Sequence, residues 1–161
     1  DAVHAQPRHV LRKRLAGVPV TSRRTGGYDE GLYTPENKQR TYDALLDHAR
    51  ADLNDGRPAI VDGSFLSRKW RAPFAALARE LDRPLVLVHM HADLETVRER
   101  IEQRLRDPNE PSEADFEVYL QLAKQVEPPT ELEATQHLEL QSGGSVSGAV
   151  QLLLERVLAQ S

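Results

Sequence analysis

Asp62 stands at the end of a short apolar run, Ala59-Ile60-Val61, and is followed by Gly63, Ser64 and Phe65. A carboxylate in that place suits Mg²⁺ beside nucleotide phosphates, because the ion takes oxygen ligands and few of them from the protein. It equally suits a strand-ending aspartate that caps the next turn, and spacing alone leaves both readings open. Four arginines, Arg98, Arg100, Arg104 and Arg106, share one later segment, with Arg100 and Arg104 a single helical turn apart. Guanidinium forks neutralise transferring phosphates with directed donors. The plain alternative is a solvated helix face with internal pairs such as Glu102 with Arg98 or Arg106. Arg12-Lys13-Arg14 and Arg23-Arg24 are further basic clusters that could grip an anionic substrate or simply cover a surface. His89 and His91 are expected to point to opposite faces of a strand and so not to chelate one metal between them. Tyr28, Tyr33 and Tyr42 form no stacking stripe of the kind that binds nucleic acid.

Positioning these residues requires elements, and the hydrophobic periodicity supplies them. Residues 8–16 read as a helix with Val10, Leu11 and Leu15 on one side, basic residues on the other, and Gly17 as a stop. Residues 17–33 are rich in glycine and small polar residues and have no period, so they form a long loop. Loops beyond about 12–15 residues in a compact domain are commonly functional, which makes this one a candidate substrate segment. Thr34, Pro35 and Asn37 mark the start of a helix over 35–54, with Tyr42, Leu45, Leu46 and Leu53 near one face. "PAIVDGSF" then reads as a short buried strand, and Arg68 to Leu81 as a helix with Trp70, Phe74, Leu77 and Leu81 on one face.

"PLVLVHMHA", residues 84–92, is continuously apolar before its histidines, which predicts a strand buried on both faces in a parallel sheet. Asp93 caps a helix to about Arg106, the prolines of "DPNEPSE" break it, and a further helix spans 113–126. "HLELQ" reads as a strand, "SGGS" as a turn, and the last segment as an amphipathic helix. This alternation predicts an α/β fold of three layers with a parallel sheet and right-handed crossovers. Ligands of such sheets gather beyond the carboxyl ends of the strands, where Asp62 and His91 both fall.

The 161 residues have the length of one domain, and 39% hydrophobic content can bury a single core. With 21 basic against 25 acidic residues, the net charge of −4 gives no electrostatic reason to expect nucleic acid or an acidic membrane. The chain has no cysteine, which excludes disulfides and thiolate metal sites. It has no apolar run near the roughly 18 residues of a spanning helix and no signal-peptide pattern, so a cytoplasmic protein is expected. Asp1 in place of methionine is read as the loss of something upstream.

Taken in order, "RKRLAG" (12–17), residues 33–65 ending in "IVDGSF", Arg71 with "FAALA" (74–78), "LVLVHMHA" (85–92) and "VRERIEQRLRDPNEPSEAD" (97–115) resemble a family. It is the P-loop small-molecule kinases of the predicted-kinase and zeta-toxin-like group, whose members are often fused to an aminoglycoside-phosphotransferase-like domain. The resemblance implies one P-loop kinase-like domain over 1–161, with a lid at about 98–115. It implies ATP and Mg²⁺ as cofactors and phosphoryl transfer to a hydroxyl of a small-molecule acceptor. Asp62 would be the metal-holding and catalytic acid, Arg98 and Arg104 the catalytic arginines, and Arg104 and Arg106 the nucleotide contacts. Arg71, Arg12 and His9 would face the substrate. The chain departs from the family in two places. No G-x-x-x-x-G-K-[ST] loop occurs in it, and Arg8-His9 stands where the family has a strand ending in Ser-Asp. A histidine can serve as a base near neutral pH. In the family's sheet the phosphate-loop strand lies between the Asp62 strand and the 85–92 strand. Its absence predicts either an upstream segment that completes the sheet or a direct pairing of those two strands. The alternative function is a non-catalytic nucleotide-binding or interaction module that keeps the scaffold.

Overall fold

A computed structural model describes residues 5–19, 34–106 and 116–160. In chain order the elements are β1 (Ala5–Pro7), α1 (Arg8–Leu15), α2 (Pro35–Asn54), β2 (Ile60–Asp62) and α3 (Arg68–Glu80). They continue with β3 (Leu87–His91), α4 (Leu94–Arg106), α5 (Phe116–Ala123), β4 (His137–Gln141) and α6 (Val146–Leu158). Side chains set several of these ends. Thr34 accepts from the Asn37 amide at 3.3 Å and Pro35 takes the first helical position of α2, where its missing N–H costs nothing. Gly56 follows that helix at φ +74°, a left-handed conformation reached without a Cβ penalty. Asp93 accepts from the Thr96 amide at 2.8 Å at the start of α4, and Ser145 from the Gly148 amide at 3.3 Å at the start of α6. Most of the 17–33 loop and residues 107–115 of the expected lid lie outside the described residues.

Both strand pairs among the described residues are parallel, as expected of an α/β fold. β1 lies against β2 with Ala5 opposite Ile60 and Pro7 opposite Asp62, and β3 lies against β4 with Leu87 opposite His137 and His91 opposite Gln141. The described residues thus form two two-stranded sheets. Direct pairing of the Asp62 strand with the 87–91 strand does not occur among them, and β2 and β3 each have one strand neighbour there.

The chain divides into two compact units, one of Asp1–Phe65 with Arg100–Gln125 and one of Leu66–Glu99 with Val126–Ser161. In the first, α1 packs on α2 and on β1, and the buried apolar residues are Leu11, Tyr42, Leu45, Ala49 and Ile101. The expected basic side of α1 is not solvated throughout, because Arg12 is 7% exposed and Lys13 fully buried. Three successive positions, Leu11 to Lys13, cover about 200° of a helix at roughly 100° per residue. So short a helix, touching both β1 and α2, has little room for a solvated face there. No helix among the described residues is long and apolar enough to cross a membrane.

In the second unit the buried set is Trp70, Leu77, Ala78 and Leu138, joined by the charged Arg71. Phe74 and Leu81, expected on the same face of α3, are half-buried. Arg71 Nε and Nη2 donate to the two carboxylate oxygens of Glu131, the side chains being 4% and 7% exposed. Nη1 and Nη2 also donate to the carbonyls of Glu127 and Pro128 at 3.0 and 3.2 Å. The Glu127 carboxylate accepts from the Arg68 amide at 2.8 Å, and the Glu127 amide donates to the Leu66 carbonyl at 2.7 Å. The first turn of α3 is therefore fastened to the 127–131 segment. Hydrogen bonding from Arg71 holds the Glu131 carboxyl below its usual range, against the opposing effect of burial.

Because that pKa is depressed by folding, the pair stabilises the fold above the ordinary glutamate range and loses its effect as the pH falls below it. Glu131→Gln, which leaves Arg71 buried without its counter-charge, is expected to lower unfolding stability by about 3–5 kcal/mol at pH 7. Urea titrations at pH 7 and pH 3 check this: the difference between wild type and variant should shrink at the lower pH, and an equal difference at both would refute it.

Candidate functional site

Parallel pairing brings two chain reversals to the same end of the first sheet. β1 ends at Pro7 opposite Asp62, so Arg8 and His9, which open α1, leave from the end at which Asp62 and its turn leave β2. The Asp62 side chain is exposed and has no hydrogen bond or ion pair among the described residues. Such a carboxylate keeps all its lone pairs available.

The turn after Asp62 is held in an uncommon shape. Phe65 has φ +40°, a region that costs a non-glycine residue roughly 1–2 kcal/mol. Its amide donates to the Tyr42 hydroxyl at 3.2 Å, and the two rings meet edge to face with centroids 5.4 Å apart. The Ser64 hydroxyl lies 3.4 Å from the same Tyr42 oxygen. A Cβ at Gly63 would stand 3.1 Å from the Phe65 ring, so a larger residue there needs that ring to give by a few tenths of an ångström. The Arg8 guanidinium lies 5.9 Å from the Tyr42 ring centroid, within cation–π range. Tyr42 thus links the two chain reversals, a role that its place in an apolar stripe conceals. The one available signal is that a buried tyrosine hydroxyl needs a partner.

The other expected site residues divide between the units. His9 is half-buried at the start of α1, and Arg12, one turn on, is buried. Arg104 is half-buried, and its guanidinium has no partner among the described residues. Arg106 is exposed and lies 3.7 Å from Glu102, one of the internal helix pairs anticipated for this face. Asp62, His9, Arg12, Arg104 and Arg106 all belong to the first unit, whereas Arg71 and Arg98 belong to the second. Arg98 is exposed; Arg71 is buried, with its fork directed at Glu131 and the 127–128 carbonyls.

The second sheet corrects the expectation for its histidines. Residues two apart on a strand share a face, and the His89 and His91 rings lie side by side with centroids 4.2 Å apart. The His137 ring on β4 is 6.1 Å from that of His89. Burial, followed by the charge of neighbouring His91, pulls the His89 pKa below the ordinary imidazole range.

Comparison with known proteins adds to this geometry. A family model described as an AAA domain matches residues 8–129. The chain belongs to that AAA-domain family. A gluconokinase from Sinorhizobium meliloti 1021 is similar in structure, with a TM-score of 0.60 and 15% identity over 98% of this chain and 78% of its own. At that identity the likeness is one of fold, and the fold of this AAA domain is that of a P-loop kinase-like protein. The uncharacterized proteins Rv2004c of Mycobacterium tuberculosis and Mb2027c of Mycobacterium bovis are each 30% identical over 94 residues, which is 58% of this chain and 19% of theirs. The matched stretch thus covers about a fifth of the length of these curated relatives.

Tyr42→Phe removes the acceptor of the Phe65 amide while keeping the ring. It is expected to cost about 1–3 kcal/mol, the range for a donor left unsatisfied. Amide hydrogen exchange at Phe65 should quicken by more than at the α2 amides around position 42, and uniform quickening would count against a specific hold on the turn.

Proposed function

We propose that this AAA domain is part of an ATP-dependent phosphotransferase that moves the γ-phosphoryl group to a hydroxyl of a small-molecule acceptor. The observation that carries this reading is the exposed, partnerless Asp62 carboxylate at the carboxyl end of a parallel strand. Mg²⁺ beside phosphates commonly uses one or two protein carboxylates and keeps its remaining positions for water and phosphate oxygens, so Asp62 fits the ion. When bound, Mg²⁺ neutralises charge on the phosphates. Asp62 would hold it. Arg104, with no partner among the described residues, and Arg98 would supply directed donors to the transferring phosphoryl group, and Arg106 would contact the nucleotide. His9 opens α1 at the same end of the sheet as Asp62, where a neutral imidazole could take the acceptor proton. Arg12, 7% exposed, is like Arg71 better assigned to holding its own segment than to touching the acceptor. Arg71, its fork turned to Glu131, is better assigned to positioning the 127–131 segment than to touching phosphate.

Such chemistry also needs a glycine-rich phosphate loop, and none of the G-x-x-x-x-G-K-[ST] form is present in the 161 residues. Among the described residues β2 and β3 each have a single strand neighbour. The greater length of the curated relatives leaves room for more sequence of this kind and for a phosphotransferase-like partner domain. A second reading is a nucleotide-binding module without turnover.

The test uses a polypeptide that contains this domain together with a glycine-rich loop. With Mg·ATP it should release ADP, and Asp62→Asn should lower the rate at least about a hundredfold. Undiminished turnover in the variant would remove Asp62 from the metal. A rise in melting temperature with Mg·ATP but no ADP would select the binding module, and no rise at all would refute both readings.

A further inference from the structure

We propose that His89, His91 and Glu139 form a binding site for a divalent transition-metal ion of the zinc class. The donors are held on one face of the second sheet by main-chain pairing: Glu139 sits directly opposite His89, and His91 follows two residues on. One ligand atom from each can be chosen such that all three lie within 4.8 Å of one another. A tetrahedral ion with bonds of about 2.0–2.2 Å keeps its ligand atoms roughly 3.3–3.6 Å apart. His91 Nε2 and Glu139 Oε2 already stand 3.6 Å apart, too far for a hydrogen bond and a fitting separation for two ligands of one ion. The remaining closure is a matter of side-chain rotation, which the exposure of Glu139 and His91 allows.

His91 Nε2 and His137 Nε2 are both shielded from solvent and have no hydrogen-bond partner among the described residues. A buried polar nitrogen left in that state costs about 1–3 kcal/mol. An ion accepting the His91 lone pair removes the deficit there, and the His137 ring lies 6.1 Å from that of His89 on the same face. Two imidazoles and one carboxylate favour zinc, cobalt, nickel or copper over magnesium and calcium, which prefer all-oxygen sets. The site is therefore chemically separate from the one proposed at Asp62, which lies in the other unit and on the other sheet.

Zn²⁺ titrated into the chain against a chromophoric chelator, with no nucleotide present, should show one equivalent bound. Co²⁺ in its place should give the absorption of a nitrogen- and oxygen-ligated tetrahedral ion. His89→Gln and Glu139→Gln should each weaken Zn²⁺ binding by at least about tenfold, whereas His48→Gln, on exposed α2 surface, should not change it. Glu139, with its side chain 62% exposed, can be replaced without loss of a core contact, so that variant decides the matter even where a histidine variant fails to fold. Absence of Zn²⁺ uptake by the wild-type chain, or a Glu139→Gln affinity within about twofold of wild type, would overturn the proposal.

Discussion

Two parallel strands leave a sheet at the same end, and the residues that follow them meet there whatever their distance in sequence. That constraint governs both candidate sites. Pro7 opposite Asp62 brings the start of α1 to the carboxylate, although some fifty residues intervene. His89 opposite Glu139 sets an imidazole and a carboxylate in adjacent positions in the same way. Antiparallel pairing or a shift by one residue would turn these side chains to other ends or other faces. The helices and caps serve this register, since parallel neighbours need a crossover long enough to return the chain to its starting side.

Around that register the chain places charge in two contrasting ways. Arg71 is enclosed, its donors shared between the Glu131 carboxylate and the carbonyls of the segment that leads toward β4. Removing an ion from water is costly unless its donors are satisfied, and here a carboxylate and two carbonyls satisfy them. Asp62 and Arg104 have no such partners among the described residues. A charged group on water with no internal partner adds little to stability, so its value is more readily sought in what it can bind. Burial and pairing thus separate structural ions from candidate functional ones more sharply than residue type does.

Much of the element order was legible because local signals agreed with one another. Thr34, Pro35 and Gly56 bracket α2, Asp93 opens α4, and "HLELQ" is β4 over its whole length. Parallel pairing was also expected from the continuous apolar run before His89, but the expected burial of both faces is not met, because among the described residues Val88 and Met90 on β3 and Ile60 on β2 are 36%, 56% and 53% exposed. Other features depended on contacts that periodicity cannot report. β1 is three residues, Ala-Gln-Pro, with little strand character of its own, and it exists because Ile60–Asp62 gives it a partner. The burial of Arg12 and Lys13 follows from what packs around α1, and that of Arg71 from a segment 56–60 residues away in sequence. The shared face of His89 and His91, by contrast, was available from the two-residue repeat of a strand. Asp62 was visible as an acid at a strand end, while the Tyr42 hydroxyl that fixes the turn beyond it was hidden in an apolar stripe.

The short sheets also bear on how the molecule can assemble. Ala5 meets Ile60 and Leu87 meets His137, so each sheet closes a loop of about fifty residues, at an entropy cost on the order of 3–4 kcal/mol before its first bond is made. α2 and α3 need only contacts three or four residues apart. The helices can therefore form at a lower loop-closure cost than the sheets. The carboxylate at Asp62 and the histidine face both depend on the costlier, long-range pairings.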